Sequence, residues 1–171
     1  MSDPLETVKA VLSTTTMRWL SLTDSLPKDL LARNPLPNEW SAMDCLCHLL
    51  DAERWIFPKR VQALMVGENI ADFDPDKQGT HYTTQDPKKL SEEFAQLRRG
   101  SLIELEKVTS KDFSRSAGHS ELGVVTLDEL LHEWAAHDLM HTVQAERAIL
   151  QPFIIGSGPW RLYFQDHDVS Q

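Results

Sequence analysis

The feature that most constrains this chain is its hydrophobic periodicity. Four long stretches place apolar residues three or four positions apart, the spacing that gathers them on one side of a helix, and no stretch reads convincingly as a strand. The first runs from Pro4 to Leu26 and carries Leu5, Val8, Val11, Leu12, Trp19, Leu20 and Leu22. Thr14, Thr15 and Thr16 lower its helix propensity, but no glycine or internal proline interrupts it. Pro27, Pro35 and Pro37 punctuate the connection that follows, Lys28 to Glu39. The second helix is predicted to start at Ser41, where Ser41-Ala42-Met43-Asp44 forms a capping box with Asp in place of the usual Glu or Gln. Cys45, Leu46, Leu49, Leu50, Ala52, Ile56 and Phe57 continue it, and at Pro58 the helix either kinks or restarts and runs on through Val66.

Gly67 to Asp86 is the longest irregular stretch, a length expected of a loop that covers a site. Asp86 and Pro87 then supply an N-cap and a first helical residue for a third helix, with Leu90, Phe94, Leu97, Ser101, Leu102 and Leu105 as its stripe to about Val108. Thr109 to Val125 is polar and predicts a turn or short hairpin. The fourth helix opens on the capping box Thr126-Leu127-Asp128-Glu129, continues to about Leu150, and is expected to stop at Pro152. Trp160, Leu162, Tyr163 and Phe164 give the C-terminal tail material to pack on the helices. The pattern predicts an all-α fold, a four-helix bundle with long connections and a packed C-terminal tail, as a single domain over residues 1–171.

A net charge of -9 argues against a nucleic-acid surface, which needs Lys and Arg to neutralise phosphates. No apolar run approaches the roughly 18 residues of a membrane span, so no membrane partner is expected. Met1-Ser2-Asp3-Pro4 lacks the basic and apolar regions of a signal peptide. Cys45 and Cys47 sit two apart on one helix, a poor geometry for a bridge, and a cytoplasmic location is expected.

The chemistry lies in histidine. His137 and His141 are four apart on the fourth helix, one turn apart on one face, and they extend the stripe of Leu130 and Trp134. His48 lies on the second helix among the inward positions Cys45, Leu49 and Ala52. Three buried imidazoles without a common purpose would be costly, because each has polar nitrogens to satisfy, whereas one cation satisfies a nitrogen on each. The alternative is that all three are packed core histidines. His132-Glu133-Trp134-Ala135-Ala136-His137 is not a zinc-protease motif, because its histidines are five apart and diverge by about 140°. Glu133 reads as a solvated helix residue or at most a partner to a ligand, and His81, His119 and His167 read as surface residues, any one of which could approach the site. Cys45 reads as a small buried hydrophobe, Asp44, Asp51 and Glu53 as helix-face charges, with Asp44 or Asp51 able to orient His48. Three imidazole ligands leave open positions on a divalent transition metal, the pattern of a catalytic site. Imidazole suits zinc, nickel, copper and iron, so ligand type does not choose among them. Zinc or nickel is the expected ion, with iron or manganese as further candidates.

Glu39-Trp40-Ser41 leading into Cys47-His48-Leu49-Leu50-Asp51-Ala52-Glu53, and Val124-Val125-Thr126-Leu127 leading into His137-Asp138-Leu139-Met140-His141, resemble the DinB-like family of metal-binding four-helix proteins over most of the chain. The resemblance implies a bundle of unusual helix order, a metal on His48, His137 and His141, and a homodimer. Members of that family with known activity include thiol-dependent transferases and isomerases that use bacillithiol, mycothiol or glutathione. The expected function is therefore an enzyme acting on a small-molecule substrate, a thiol-dependent S-transferase using a low-molecular-weight thiol or, with the metal activating water instead, a hydrolase. The alternative is a non-catalytic or stress-associated protein in which the site serves binding or structure. No residue of the chain specifies a thiol.

Overall fold

The computed structural model describes residues 3–70 and 85–170. The helices are α1 (Pro4–Ser25), α2 (Lys28–Leu31), α3 (Ala42–Trp55), α4 (Phe57–Val66), α5 (Pro87–Leu105) and α6 (Leu127–Gly156). Among the described residues, one antiparallel hairpin pairs β1 (Ser116–His119) with β2 (Gly123–Thr126), and a 3-10 segment, Gly158–His167, follows α6. The fold is an all-α four-helix bundle made of α1, α3, α5 and α6.

The helix starts follow from local chemistry. Asp3 accepts from the Leu5 amide at 3.0 Å, and Asp86 accepts from the Lys88 amide at 3.1 Å, each just ahead of a proline in the first turn. Both predicted capping boxes form. The Ser41 hydroxyl accepts from the Asp44 amide at 3.2 Å while the Ser41 amide donates to Asp44 Oδ2 at 2.9 Å. Thr126 and Glu129 repeat the exchange at 3.3 and 2.7 Å. Such caps contribute about 0.5–2 kcal/mol each and fix where the site-bearing helices α3 and α6 begin.

Pro58 produces a restart: the helix breaks at Ile56 and α4 begins at Phe57, because a proline has no amide to donate and its ring crowds the preceding turn. Gly67, at φ 77°, ends α4 in the left-handed region. Pro152 does not end the fourth helix, contrary to expectation, and α6 continues to Gly156. Packing beyond the proline outweighs the lost hydrogen bond. Ile154 is buried there, and Gln151 ties down the tail, donating to the His167 carbonyl at 2.9 Å and accepting from the Val169 amide at 3.1 Å. The tail does dock on α6, but through Gln151 and not through the side chains expected to pack. Trp160, Leu162 and Tyr163 are exposed, because hydrogen bonds to its backbone and not apolar burial hold the tail. Thr109–Val125 contains the expected hairpin, anchored where the Ile70 amide donates to the Gly118 carbonyl at 2.9 Å. The covering role expected of Gly67–Asp86 rests mainly on residues 71–84, which lie outside the described residues.

α1 packs on α5 and α6, and α3 packs on the same two helices, so α1 and α3 occupy opposite corners. The core sets the helix directions. Two apolar clusters lie on either side of a polar layer. α1 leaves the first cluster at Leu12, passes Thr15 and enters the second at Trp19, and α6 passes from Trp134 through His137 and His141 to Ala145 in the same sense. α3 runs the other way, from Leu46 and Leu50 to Ile56, and so does α5, from Leu90 and Phe94 through Arg98 to Leu105. The order is therefore up, down, down, up. Parallel neighbours need a long return connection, which accounts for the length of chain between α3 and α5.

Candidate metal centre

α3 is buried on nearly every side, from Ala42 to Glu53, which brings His48 into the interior at the α3–α6 interface. One turn of α6 places His137 and His141 opposite it. The three rings offer one nitrogen each within a 4.8 Å span, close to the roughly 4 Å across which one ion bonded at about 2 Å reaches two nitrogens. His48 Nε2 and His137 Nε2 face each other at 2.9 Å. His141 Nδ1 lies 2.9 Å from Gln144 Oε1, and because that oxygen only accepts, Nδ1 carries the proton and donates.

Aromatic rings wall the cluster. Trp40, just before α3, stacks on His141 with centroids 5.5 Å apart and planes at 19°, and packs on His48 at 5.1 Å. Phe57, at the start of α4, meets His137 edge-on at 5.1 Å and stacks on Trp134. Burial, reinforced by the neighbouring His141, His48 and Arg98, pushes the His137 pKa down to about 3. Burial also lowers that of His141, against the opposing pull of Gln144 and Asp138. Neutral rings keep lone pairs available, so the donor set fits a borderline divalent transition metal.

A second polar group lies beside this one. Arg98 of α5 is 1% exposed. It donates to Glu53 Oε2 of α3 at 2.9 Å, to Asp138 Oδ2 of α6 at 2.7 Å and to the Leu12 carbonyl of α1 at 2.9 Å, so it touches all three other bundle helices. The Thr15 hydroxyl is 2.7 Å from the same Asp138 oxygen. Burial works against the Arg98 charge, but Asp138 and Glu53 outweigh it and keep the guanidinium protonated. Burial pushes the Glu53 carboxyl up, against the pull of Arg98. Asp138 lies next to His137 in sequence, so the ion cluster and the histidines share one turn of α6.

The structure brings together the three histidines singled out in the sequence. His132 is exposed, with its Nδ1 2.9 Å from the Asp128 carbonyl, as the rejection of a protease motif requires. His119 lies in the hairpin and His167 in the tail, while His81 lies outside the described residues. Cys45 and Cys47 are fully buried, and burial pushes both thiols up to about 12, which makes them inert apolar filling. Asp44 closes its capping box and Asp51 pairs with Arg54 at 3.4 Å. Asp51 and Glu53 are corrected: both are buried and not helix-face charges, because α3 is enclosed on nearly every side, and Glu53 is an ion partner of Arg98. Arg98, Gln144, Trp40 and Phe57 were not marked as site residues by the sequence reading. Gln144 was findable as the next position, three residues on, of the face that holds His137 and His141.

A family model described as the DinB superfamily matches residues 12–145. No curated protein sequence matches the chain. Among solved structures, the fold is similar to YfiT from Bacillus subtilis, described as "a probable metal-dependent hydrolase with an unusual four-helix bundle topology". The two share 16% identity with a TM-score of 0.75, over 86% of this chain and 87% of YfiT.

Proposed function

We propose, from the premise that this chain belongs to the DinB superfamily, that it is a metal-dependent enzyme in which His48, His137 and His141 hold one divalent transition ion, zinc or nickel by preference. The observation that carries this reading is the convergence of three imidazole nitrogens at the α3–α6 interface. When bound, such an ion supplies a Lewis acid with open positions, at which a small nucleophile becomes more acidic near neutral pH. The chain's own groups prepare that site. Burial holds His137 and His141 in their ligating, neutral form. Trp40 and Phe57 shield the cluster from water and limit the tilt of the rings. Arg98, bonded to both Asp138 and Glu53, fixes α6 against α3 and with them the separation of His48 from the helical pair.

The reaction is hydrolysis of a small substrate or S-transfer from a low-molecular-weight thiol. The description of YfiT as a hydrolase supports the first; the second rests on the family resemblance. The protein acts as one domain over residues 1–171 in the cytoplasm. Leu139, Met140 and Val143, exposed along α6, support a homodimer. Metal-loaded protein screened against activated esters, and against electrophiles with added thiols, separates the two chemistries. His48→Ala is expected to lose turnover by at least about 100-fold, given the cost of misplacing a catalytic centre. Turnover unchanged in that variant would overturn the assignment.

A further inference from the structure

We infer that Gln144 is a positioning residue for His141: its side-chain oxygen fixes which imidazole nitrogen faces the histidine cluster. The inference rests on the metal reading above and adds to it a residue outside the three ligands. An imidazole has two nitrogens, and a neutral ring carries its proton on only one of them. A ring with its proton on the cluster-facing nitrogen has no lone pair to offer there. Gln144 Oε1 stands 2.9 Å from His141 Nδ1, and as an amide oxygen it accepts only, so the proton is held on Nδ1 and Nε2 is left bare. The spacing is built into the helix. Gln144 follows His141 by three residues, nearly one turn, so the two side chains share a face of α6 whatever the surroundings. Trp40 stacks on the same ring with planes 19° apart, which restricts its tilt, while Gln144 opposes its reversal. A ring so held presents its lone pair without having to reorganise first, the usual effect of a hydrogen-bond partner behind a metal-bound histidine. Gln144 is half-buried and also lines a cleft of about 520 Å3 with Trp40, Glu39 and Arg147, so its replacement need not disturb the apolar clusters.

The test compares Gln144→Leu, which removes the acceptor, with Gln144→Glu, which keeps one at the same reach. Zinc affinity is measured by chelator competition, and nitrogen NMR of the imidazoles in metal-free protein reports the His141 tautomer. Gln144→Leu is expected to weaken zinc binding roughly 10–100-fold, to mix the His141 tautomers and to leave the metal-free thermal midpoint unmoved. Gln144→Glu is expected to bind zinc at least as tightly as the parent and to keep the Nδ1-protonated ring. Equal zinc affinity in the parent and Gln144→Leu, or equal loss in both variants, would overturn the role of Gln144 and leave the metal reading standing. A parent protein that takes up no zinc would overturn both, while a single Nδ1-protonated tautomer that persists in Gln144→Leu would overturn this inference alone.

Discussion

Arg98 and His137 belong to one polar layer in the middle of the bundle, yet the groups around them are matched very differently. Arg98 has a carboxylate on α3, a carboxylate on α6 and a backbone carbonyl on α1, so its donors are met by the chain itself. His137 has two other imidazoles and a phenylalanine ring around it, a set rich in lone pairs, with the Arg98 charge near enough to disfavour its protonation. The guanidinium of the first cluster is fully partnered when the chain folds. The second cluster gathers three ring nitrogens at one point, an arrangement that an added cation would complete on the proposed reading. On the function proposed above, the charge cluster therefore belongs to folding and helix alignment, and the histidine cluster to metal binding.

The largest effect expected from breaking this contrast is at Arg98. Arg98→Ala strands two buried carboxylates and is expected to cost about 3–5 kcal/mol in chemical denaturation, because removing one partner of a buried ion pair leaves the other uncompensated. A loss below about 1 kcal/mol would remove the distinction between the clusters. A middle-sized effect is expected on the histidine side, in metal-free protein. The His137 pKa is about 3 in the folded chain, against roughly 6.5 when unfolded, so between those values the unfolded chain binds the extra proton. That contribution is fully present above about pH 6.5 and is lost as pH falls toward 3. Denaturation midpoints should thus drop already between about pH 6.5 and 5, above the range of ordinary carboxylates, and His137→Asn should flatten that slope. The smallest effect serves as a reference outside both clusters. Gly100 lies in the interior of α5, with nothing within 4 Å of the position an added Cβ would take. Gly100→Ala should raise stability by about 0.5–1 kcal/mol without changing metal uptake.

The same contrast explains what could be read from the sequence. The four helices, their capping boxes and the histidine trio followed from period and residue type, because apolar residues and imidazoles at inward positions are both conspicuous. The ion cluster did not. Arg98 falls on the same inward row as Leu90, Phe94, Ser101 and Leu105, and Glu53 follows Leu49 and Leu50 by the same steps, so their positions were visible. Their charge concealed them, since a lone Arg or Glu is far more often on the surface, and only the meeting of α3, α5 and α6 supplies partners that make burial tolerable. Pro152 misled for the complementary reason. A local rule against proline in helices was overridden by the docking of the tail around Gln151, a contact that no local pattern contains. The diagonal placement of α1 and α3 is likewise a property of packing among distant segments.

The central claim is that the histidine cluster is completed by a cation. Elemental analysis of protein purified without a polyhistidine tag, before and after equilibration with zinc or nickel, tests it most directly. The expected result is about one transition ion per chain, lost in His48→Ala while the helical signal persists. A stoichiometry near zero, with no uptake of either metal by the parent protein, would contradict it and leave three histidines packed for their own sake.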